Sequence, residues 1–280
     1  MKFTIFGASG FVGSHLRQYL VSLGHSVSTP ARGDELQFVN THSNIGHVIY
    51  AIGLTANFRQ KPFETVQAHV SKLSDLIQRA NFDSWIYLSS TRVYAGLSDG
   101  ALASEDSFLK VIPSLDMIYN LSKLTGESIC VSQDNPKIRV ARLSNVYGVG
   151  MSGSTFLSSV IQESSSTGAV TINEGPKSSK DYVSVEDVSM MLTRIALEGQ
   201  SRIYNIASGQ STTHNDIANA LTGILGCDVN FAPNANQRNF PPIDVGLLVR
   251  EFGYNPKNLL NDMEDLCPPN RFKSSLRLSD

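Results

Sequence analysis

The sequence has few cysteines and no long apolar run, and each shortage excludes a class of protein. The three cysteines, Cys130, Cys227 and Cys267, are far apart and odd in number, so they form neither a zinc pattern nor a disulfide framework. Free thiols are typical of a reducing compartment. The opening residues are too short for a signal peptide, and no later stretch approaches the ~18 apolar residues of a membrane span. We therefore expect a cytoplasmic protein with no membrane partner.

The sequence also lacks an excess of positive charge. The chain carries 23 Lys and Arg against 25 Asp and Glu, a net charge of −2. This balance argues against broad nucleic-acid binding, because phosphate neutralisation needs a basic face, and we expect no nucleic-acid partner. A local cationic pocket for one anionic ligand remains compatible with this balance. The hydrophobic fraction of 41% is typical of globular proteins.

Strand-like and helix-like segments alternate through the first half of the chain. Strands are predicted at 2–6, 26–29, 47–52, 85–88 and 138–143, and helices at 11–23, 64–80 and 116–131. Such alternation forms parallel sheets, which bind ligands at the carboxyl ends of their strands. The expected fold class is α/β, with a Rossmann-type doubly wound parallel sheet.

Beyond residue 146 the alternation weakens. Residues 148–153 and the serine cluster at 164–166 are typical of loops, and helices are predicted at 186–197, 213–225 and near 257–266. We interpret residues 1–146 as a dinucleotide-binding domain and 147–280 as mainly a smaller lobe. Segments such as 181–208 are expected to return to the first domain, and residues after 268 to form a disordered tail.

A glycine-rich loop joins the first predicted strand to the first helix. Its sequence is Gly7-Ala8-Ser9-Gly10-Phe11-Val12-Gly13. Gly7 permits a tight turn, Gly10 allows close approach of a pyrophosphate, and Gly13 allows close packing of helix and sheet. The helix N-terminus, with Phe11 and Val12, offers free N–H groups to phosphates. The loop predicts a bound dinucleotide, the alternative being a glycine turn without a ligand.

The residues after the second strand bear on the choice between NAD and NADP. A carboxylate there would hold the ribose 2′-hydroxyl of NAD, whereas a basic residue suits the 2′-phosphate of NADP. The segment ends in Arg32, which favours NADP. Asp34 lies nearby, and Arg32 is also compatible with a solvated surface role, so NAD stays open.

Tyr119 and Lys123 are four residues apart on a predicted helix, which places them on one face. A free tyrosine has a pKa of about 10, and a nearby ammonium or oxidised nicotinamide would lower it. Tyr119 is therefore a candidate proton donor and acceptor during hydride transfer. Ser89 and Ser90 end the strand at 85–88, where a hydroxyl can bind the substrate oxygen. A core tyrosine beside a surface lysine is the alternative.

Together these motifs resemble the extended short-chain dehydrogenase/reductase family, the NAD-dependent epimerase/dehydratase group. The resemblance implies that Tyr119, Lys123 and Ser90 are catalytic. The cofactor would contact Gly7, Gly10, Phe11, Val12, Gly13, Arg32, Ala51, Ile52, Gly53, Ser89 and Lys123, and the substrate Thr91, Arg92 and Asn145. No metal is expected.

The resemblance also implies a nucleotide-activated sugar as substrate, held by the C-terminal lobe, and a homodimer. Lys180 or Arg238 would supply charge to the diphosphate, although both residue types also occur simply at surfaces. The group's dehydratases carry Asp-Glu where this chain has Thr91-Arg92, which disfavours dehydration. His69 stands where the group often has Asn, and a histidine without chemistry is the preferred interpretation.

Three functions remain open at this stage. The first is a nucleotide-sugar epimerase that oxidises and re-reduces one ring carbon. The second is an NADPH-dependent reductase of a nucleotide-linked 4-keto sugar, which Arg32 favours. The third is a catalytically silent dinucleotide sensor or scaffold, which would not need Tyr119, Lys123 and Ser90 together.

Overall fold

The computed structural model describes residues 1–98, 100–151 and 153–268. In chain order the strands are β1 (Lys2–Phe6), β2 (Ser26–Ser28), β3 (His47–Tyr50), β4 (Ser84–Ser90), β5 (Ile138–Leu143), β6 (Asn145–Tyr147), β7 (Ala169–Ile172), β8 (Ser179–Ser184), β9 (Ile203–Ile206), β10 (Ser211–Thr213) and β11 (Asp228–Phe231). The α-helices are α1 (Phe11–Ser22), α2 (Glu35–Thr41), α3 (Pro62–Val66), α4 (Lys72–Arg79), α5 (Ile118–Val131), α6 (Phe156–Thr167), α7 (Val185–Glu198), α8 (His214–Leu225), α9 (Gly246–Phe252) and α10 (Leu259–Leu266).

A six-stranded parallel sheet has the order β2-β1-β3-β4-β5-β9. This confirms the predicted α/β class. The chain moves outward from β1 in both directions, so the strand order reverses between β1 and β3. Ligands of such sheets bind at the carboxyl ends of the strands beside that reversal. The residues following β1, β3 and β4 are therefore placed to form a site.

Both faces of this sheet are covered by helices. β4 and β5 are buried almost throughout, as expected for central parallel strands. One face packs against the helices α1 and α7, through residues such as Leu16, Leu20 and Met191. The opposite face packs against α4 and α5, through residues such as Leu73, Leu76 and Cys130.

The helix predicted at 64–80 is interrupted by a π-helical turn. α3 and α4 are joined by Gln67–Ser71, a π-helical segment whose backbone hydrogen bonds span one residue more than those of an α-helix. The His69 carbonyl there accepts a hydrogen bond from the Tyr87 hydroxyl at 3.3 Å. A Cβ at Gly126 of α5 would lie 2.5 Å from that hydroxyl and 2.8 Å from the His69 carbonyl oxygen. Gly126 therefore allows α5 to lie directly against the π-helical turn.

The second half contains two small sheets, β10-β8-β6 and β11-β7, beside α6, α8 and α10. The prediction of a loop at 164–166 is wrong, because these serines lie in α6. Leu157, Val160 and Ile161 of α6 are buried in the core of this lobe. Ser165 Oγ also donates to the Ile161 carbonyl at 2.6 Å, which satisfies its hydroxyl within the helix.

No helix within the described ranges is long and apolar enough to cross a membrane. The disordered tail predicted after residue 268 falls outside the described residues.

Candidate active site

The glycine loop forms a tight cradle at the start of α1. Gly7 has a φ of 89°, and a Cβ there would lie 2.8 Å from the backbone carbon of Ala51. A Cβ at Gly13 would overlap the Gly7 carbonyl oxygen and lie 2.9 Å from Ala8 Cα. Gly10 is the N-cap of α1, so the N–H groups of Phe11 and Val12 are not needed by the helix. These positions fit a pyrophosphate bound against bare backbone.

The segment after β3 lies next to this cradle. The Ala51 N–H donates to the Phe6 carbonyl at 2.8 Å, so Ala51 and Ile52 continue along the edge of β1. At Gly53 a Cβ would lie 3.1 Å from His69 Nε2 and 3.5 Å from Lys123 Nζ. Gly53 thus brings the predicted cofactor-lining segment next to the predicted catalytic lysine.

Arg32 lies exposed in the loop between β2 and α2. The buried carboxylate of that region belongs to Glu35, which is only 5% exposed. It accepts hydrogen bonds from the Gly33 N–H and from Lys72 Nζ, both at 2.9 Å. The Glu35 carboxylate is therefore already bonded to Gly33 and Lys72, whereas the Arg32 side chain is accessible to a ligand.

Tyr119, Lys123 and Ser90 lie together at the carboxyl end of β4. Tyr119 is 5% exposed, and Ser90 is near enough to its hydroxyl to act on the pKa of the phenol. Lys123 is also 5% exposed, and its Nζ donates to the Leu88 carbonyl of β4 at 2.8 Å. That Nζ lies 5.9 Å from the centre of the Tyr119 ring. The structure thus brings together the three residues that the sequence predicts to be catalytic.

Burial sets the proton affinities of this pair. It lowers the pKa of Lys123 to about 7, and the Glu127 charge opposes this shift. Burial also raises the pKa of Tyr119, while the Ser90 hydrogen bond and the Arg92 charge act to lower it. The sequence predicted Lys123 as the cation that favours the phenolate. Without a bound cofactor, the cation that acts to lower the pKa of Tyr119 is Arg92 rather than Lys123.

A buried polar network that the sequence did not predict lies behind the site. Ser89 Oγ donates to Glu127 Oε1 at 2.5 Å, and Arg142 Nη2 lies 2.7 Å from Glu127 Oε2. Arg142 also donates to the Tyr94 hydroxyl at 2.7 Å. The Ser89 hydroxyl is thus directed at α5, and a contact from Ser89 to a cofactor would have to come from its backbone. Spacing did offer one signal, because Glu127 lies one turn beyond Lys123 on α5.

His69 has a defined tautomer, although the sequence assigned it no chemistry. Nε2 accepts a hydrogen bond from the Leu54 N–H at 3.3 Å, so the proton of a neutral ring lies on Nδ1. Nδ1 then donates to Ser122 Oγ at 2.8 Å, and Ser122 donates to the Tyr119 carbonyl at 2.9 Å. Burial and the Lys123 charge lower the pKa of His69 to about 2. His69 therefore links the segment after β3 to the helix that carries Tyr119.

The three predicted substrate residues lie on different elements. Thr91 and Arg92 begin the short 3₁₀-helix Thr91–Tyr94 after β4, where the Arg92 N–H donates to Ser90 Oγ at 3.2 Å. Asn145 begins β6, and its Nδ2 donates to the Asp181 carbonyl at 2.8 Å. Thr91 and Arg92 are therefore next to Ser90, whereas the amide nitrogen of Asn145 is engaged by β8.

Lys180 and Arg238 converge on one carboxylate in the lobe. Lys180 Nζ lies 3.2 Å from Glu174 Oε2, and Arg238 Nη1 lies 3.5 Å from Glu174 Oε1. The Arg238 charge also acts to lower the pKa of Arg92, after the larger effects of burial and of Arg59. This arrangement puts positive charge on the lobe side of the cleft.

The glycine cradle, the Tyr119–Lys123 pair and the parallel sheet together define a short-chain dehydrogenase/reductase site. Residues 3–207 match the NAD dependent epimerase/dehydratase family, and the chain belongs to that family. Its enzymes are NAD(P)-dependent epimerases, dehydratases and reductases of nucleotide sugars.

Three relatives illustrate the range of the family. The chain is 27% identical over 258 residues to GDP-6-deoxy-D-mannose reductase of Pseudomonas aeruginosa, covering 80% of each protein. A structure of RMD from Pseudomonas aeruginosa complexed with NADPH superposes with a TM-score of 0.79 at 23% identity, covering 95% of this chain and 99% of that one. The structure of UDP-glucuronic acid 4-epimerase from Bacillus cereus, in complex with UDP-glucuronic acid and NAD, superposes with a TM-score of 0.79 at 19% identity, covering 95% of this chain and 97% of that one. The last two show likeness of fold.

Proposed function

We propose that this protein is an NAD(P)-dependent epimerase that inverts one ring carbon of a nucleotide-activated sugar. The observation that carries the proposal is the grouping of Tyr119, Ser90 and Lys123 at the end of β4, beside the glycine cradle. The sugar would lie between this group and the C-terminal lobe, where Lys180 and Arg238 offer charge to its diphosphate.

Each residue of the group has a separate task in this mechanism. A bound nicotinamide dinucleotide would accept the hydride and later return it. Tyr119 Oη takes the proton from the sugar hydroxyl as the ketone forms, and gives it back when the other face is reduced. Ser90 holds both the substrate oxygen and the Tyr119 hydroxyl. Lys123, fixed by the Leu88 carbonyl, supplies a donor beside the cofactor segment at Gly53.

The test is Tyr119→Phe, assayed on UDP- and GDP-sugars with either cofactor and with product stereochemistry read by NMR. We expect turnover to fall roughly 10²- to 10⁴-fold, because the phenol is the acid and base. Tyr19→Phe, the same change on α1, is the control and should leave turnover unchanged. Unchanged turnover in Tyr119→Phe would show that the phenol carries no proton and would favour the silent sensor.

A second candidate is reduction of a nucleotide-linked 4-keto sugar with net consumption of NADPH. The 27% identical relative is a reductase, and Arg32 is accessible to a 2′-phosphate. An epimerase recycles its cofactor, so stoichiometric oxidation of NADPH during turnover would select the reductase. Dehydration is not proposed, because Thr91 and Arg92 provide neither a carboxylic acid nor a carboxylate. The homodimer and the preference for NADP stay predictions of the sequence.

A further inference from the structure

Arg92 is held in one orientation by a buried amide. Its Nε donates to Asn120 Oδ1 at 3.1 Å, and Asn120 Nδ2 donates to the Arg92 carbonyl at 2.8 Å. Asn120 is 1% exposed. A third bond runs from Arg92 Nη2 to the Asp116 carbonyl at 3.4 Å. These contacts fix the plane of the guanidinium before any ligand binds, which reduces the entropy lost on binding.

Two aromatic rings enclose the same guanidinium. Its central carbon lies 5.0 Å from the centre of the Phe58 ring and 5.9 Å from that of Tyr119. Phe58 is 2% exposed, so this side of Arg92 is apolar and shielded from water. Charge interactions are stronger in such a setting than in bulk solvent.

Arg92 nevertheless lacks a counter-ion within the part of the chain that the structure describes. No ion pair joins it to a carboxylate of the described residues. The nearby Asp116 carboxylate is already paired with Arg59, at 2.5 Å from its Nε. Burial and the Arg59 charge lower the pKa of Arg92, although an arginine keeps its proton. A fixed, half-buried cation without a partner is suited to an anionic group of a ligand.

The position of Arg92 indicates which part of a ligand would supply that anion. Arg92 is adjacent to Tyr119 and two residues from Ser90, the two groups assigned to the reacting hydroxyl. A substituent next to the reacting carbon would therefore lie closer to Arg92 than the diphosphate does. Lys180 on β8 provides a separate cation for the diphosphate from the lobe, whereas the charge of Arg238 acts on Arg92 itself.

We infer that Arg92 binds a carboxylate on the sugar ring, so that the preferred substrate is a nucleotide-activated uronic acid. The inference rests on the proposed function and narrows its substrate class. Arginine matches a carboxylate with two parallel N–H donors, a geometry that a neutral hydroxymethyl group does not reproduce.

The test compares binding of three ligands to the Arg92→Gln variant and the wild type, by calorimetry with NAD present. The ligands are a free nucleoside diphosphate, the neutral nucleotide sugar and the matching uronic acid. The set is UDP, UDP-glucose and UDP-glucuronate, or GDP, GDP-mannose and GDP-mannuronate, according to which free diphosphate binds. Arg250→Gln, on α9, is the control of equal charge change.

We expect wild type to bind the uronic acid more tightly than the neutral sugar. Arg92→Gln should weaken uronic-acid binding about 10- to 100-fold, the range for a hydrogen bond between charged groups, and change the other two less than about 3-fold. Arg92→Lys should restore part of the affinity, and Arg250→Gln should change nothing. NAD affinity of Arg92→Gln should match wild type, which excludes a global folding defect, while its melting temperature should fall slightly because Asn120 Oδ1 loses the Arg92 donor.

Two results would overturn the inference and leave the proposed function standing. In one, Arg92→Gln weakens all three ligands equally, which assigns Arg92 to the diphosphate. In the other, wild type binds the neutral sugar as tightly as the acid. If neither nucleotide series binds while NAD does, the proposed function itself fails, and this inference with it.

Discussion

The buried ion pair between Glu127 and Arg142 gives the strongest stability prediction. Both side chains are 5% exposed or less, and Arg142 donates to the two carboxylate oxygens at 2.7 to 3.2 Å. Glu127→Gln leaves a buried guanidinium without a counter-ion. Breaking such a pair costs about 3 to 5 kcal/mol of the free energy of unfolding, which is a large part of the 5 to 15 kcal/mol typical of a domain.

The assay is urea unfolding with linear extrapolation, in parallel with Glu198→Gln. Glu198 pairs with Arg194 on the exposed face of α7 at 3.7 Å, and such a pair contributes about 0.5 kcal/mol or less. A double variant, Glu127→Leu with Arg142→Met, should recover much of the loss, because no buried charge is left alone. The reasoning is refuted if Glu127→Gln destabilises the protein no more than Glu198→Gln does.

Three further predictions follow from the site. Gly13→Ala should weaken NAD(P) binding at least about 10-fold in a fluorescence titration, because the new Cβ would overlap the backbone of the cradle. The control is Gly223→Ala on α8, where no atom lies near the new Cβ. It should leave binding unchanged and add about 0.5 to 1 kcal/mol to the free energy of unfolding. Arg32→Glu should shift the ratio of NADP to NAD affinity towards NAD, and an unchanged ratio would place Arg32 in solvent only. In the folded protein the pKa of Lys123 is about 7, well below its value in an unfolded chain, so above pH 7 the unfolded chain binds more protons than the folded one. The free energy of unfolding should therefore rise from pH 7 to pH 9 by up to about 1 kcal/mol per pH unit. Urea unfolding at each pH should show this rise in wild type and not in Lys123→Met.

The sequence predicted those parts of the site that depend on local spacing. The glycine loop needs only a strand, three glycines and a helix in order, and Tyr119 and Lys123 share a face because they are one turn apart. Their positions relative to Ser90 follow from the parallel sheet, which brings the ends of β4 and the start of α5 to one edge. These features can be predicted from the sequence because the helical repeat and the parallel strand arrangement determine them.

Features that depend on contacts distant in sequence were not predicted. The π-helical turn at His69 exists beside Gly126 and Tyr87, which lie on other elements. The serines of α6 remain helical because its apolar residues are buried in the lobe, a contact that outweighs the weak helix propensity of serine. The family resemblance implied a substrate contact for Arg92 but not its Asn120 partner, since that pairing joins residues 28 positions apart.

The buried face of α5 is polar and forms several hydrogen bonds to neighbouring segments. It carries Asn120, Ser122, Lys123 and Glu127, polar residues that destabilise a core unless each one has a partner. Each has one on a different segment: Asn120 bonds Arg92, Ser122 bonds His69, Lys123 bonds the Leu88 carbonyl, and Glu127 bonds Ser89 and Arg142.

A shift or rotation of α5 would break several of these bonds at once, so the helix has one favourable position. That position sets Tyr119 against Ser90 and Lys123 against Gly53. Because the same bonds stabilise the fold and orient the phenol, stability and proton transfer are coupled on this helix. An α5 substitution that removes one of these partners and lowers the free energy of unfolding should therefore also lower kcat. An equally destabilising substitution in the core of the lobe, such as Leu221→Ala, should leave kcat nearly unchanged at temperatures well below unfolding. Equal losses of kcat in both would show that α5 is not specially constrained.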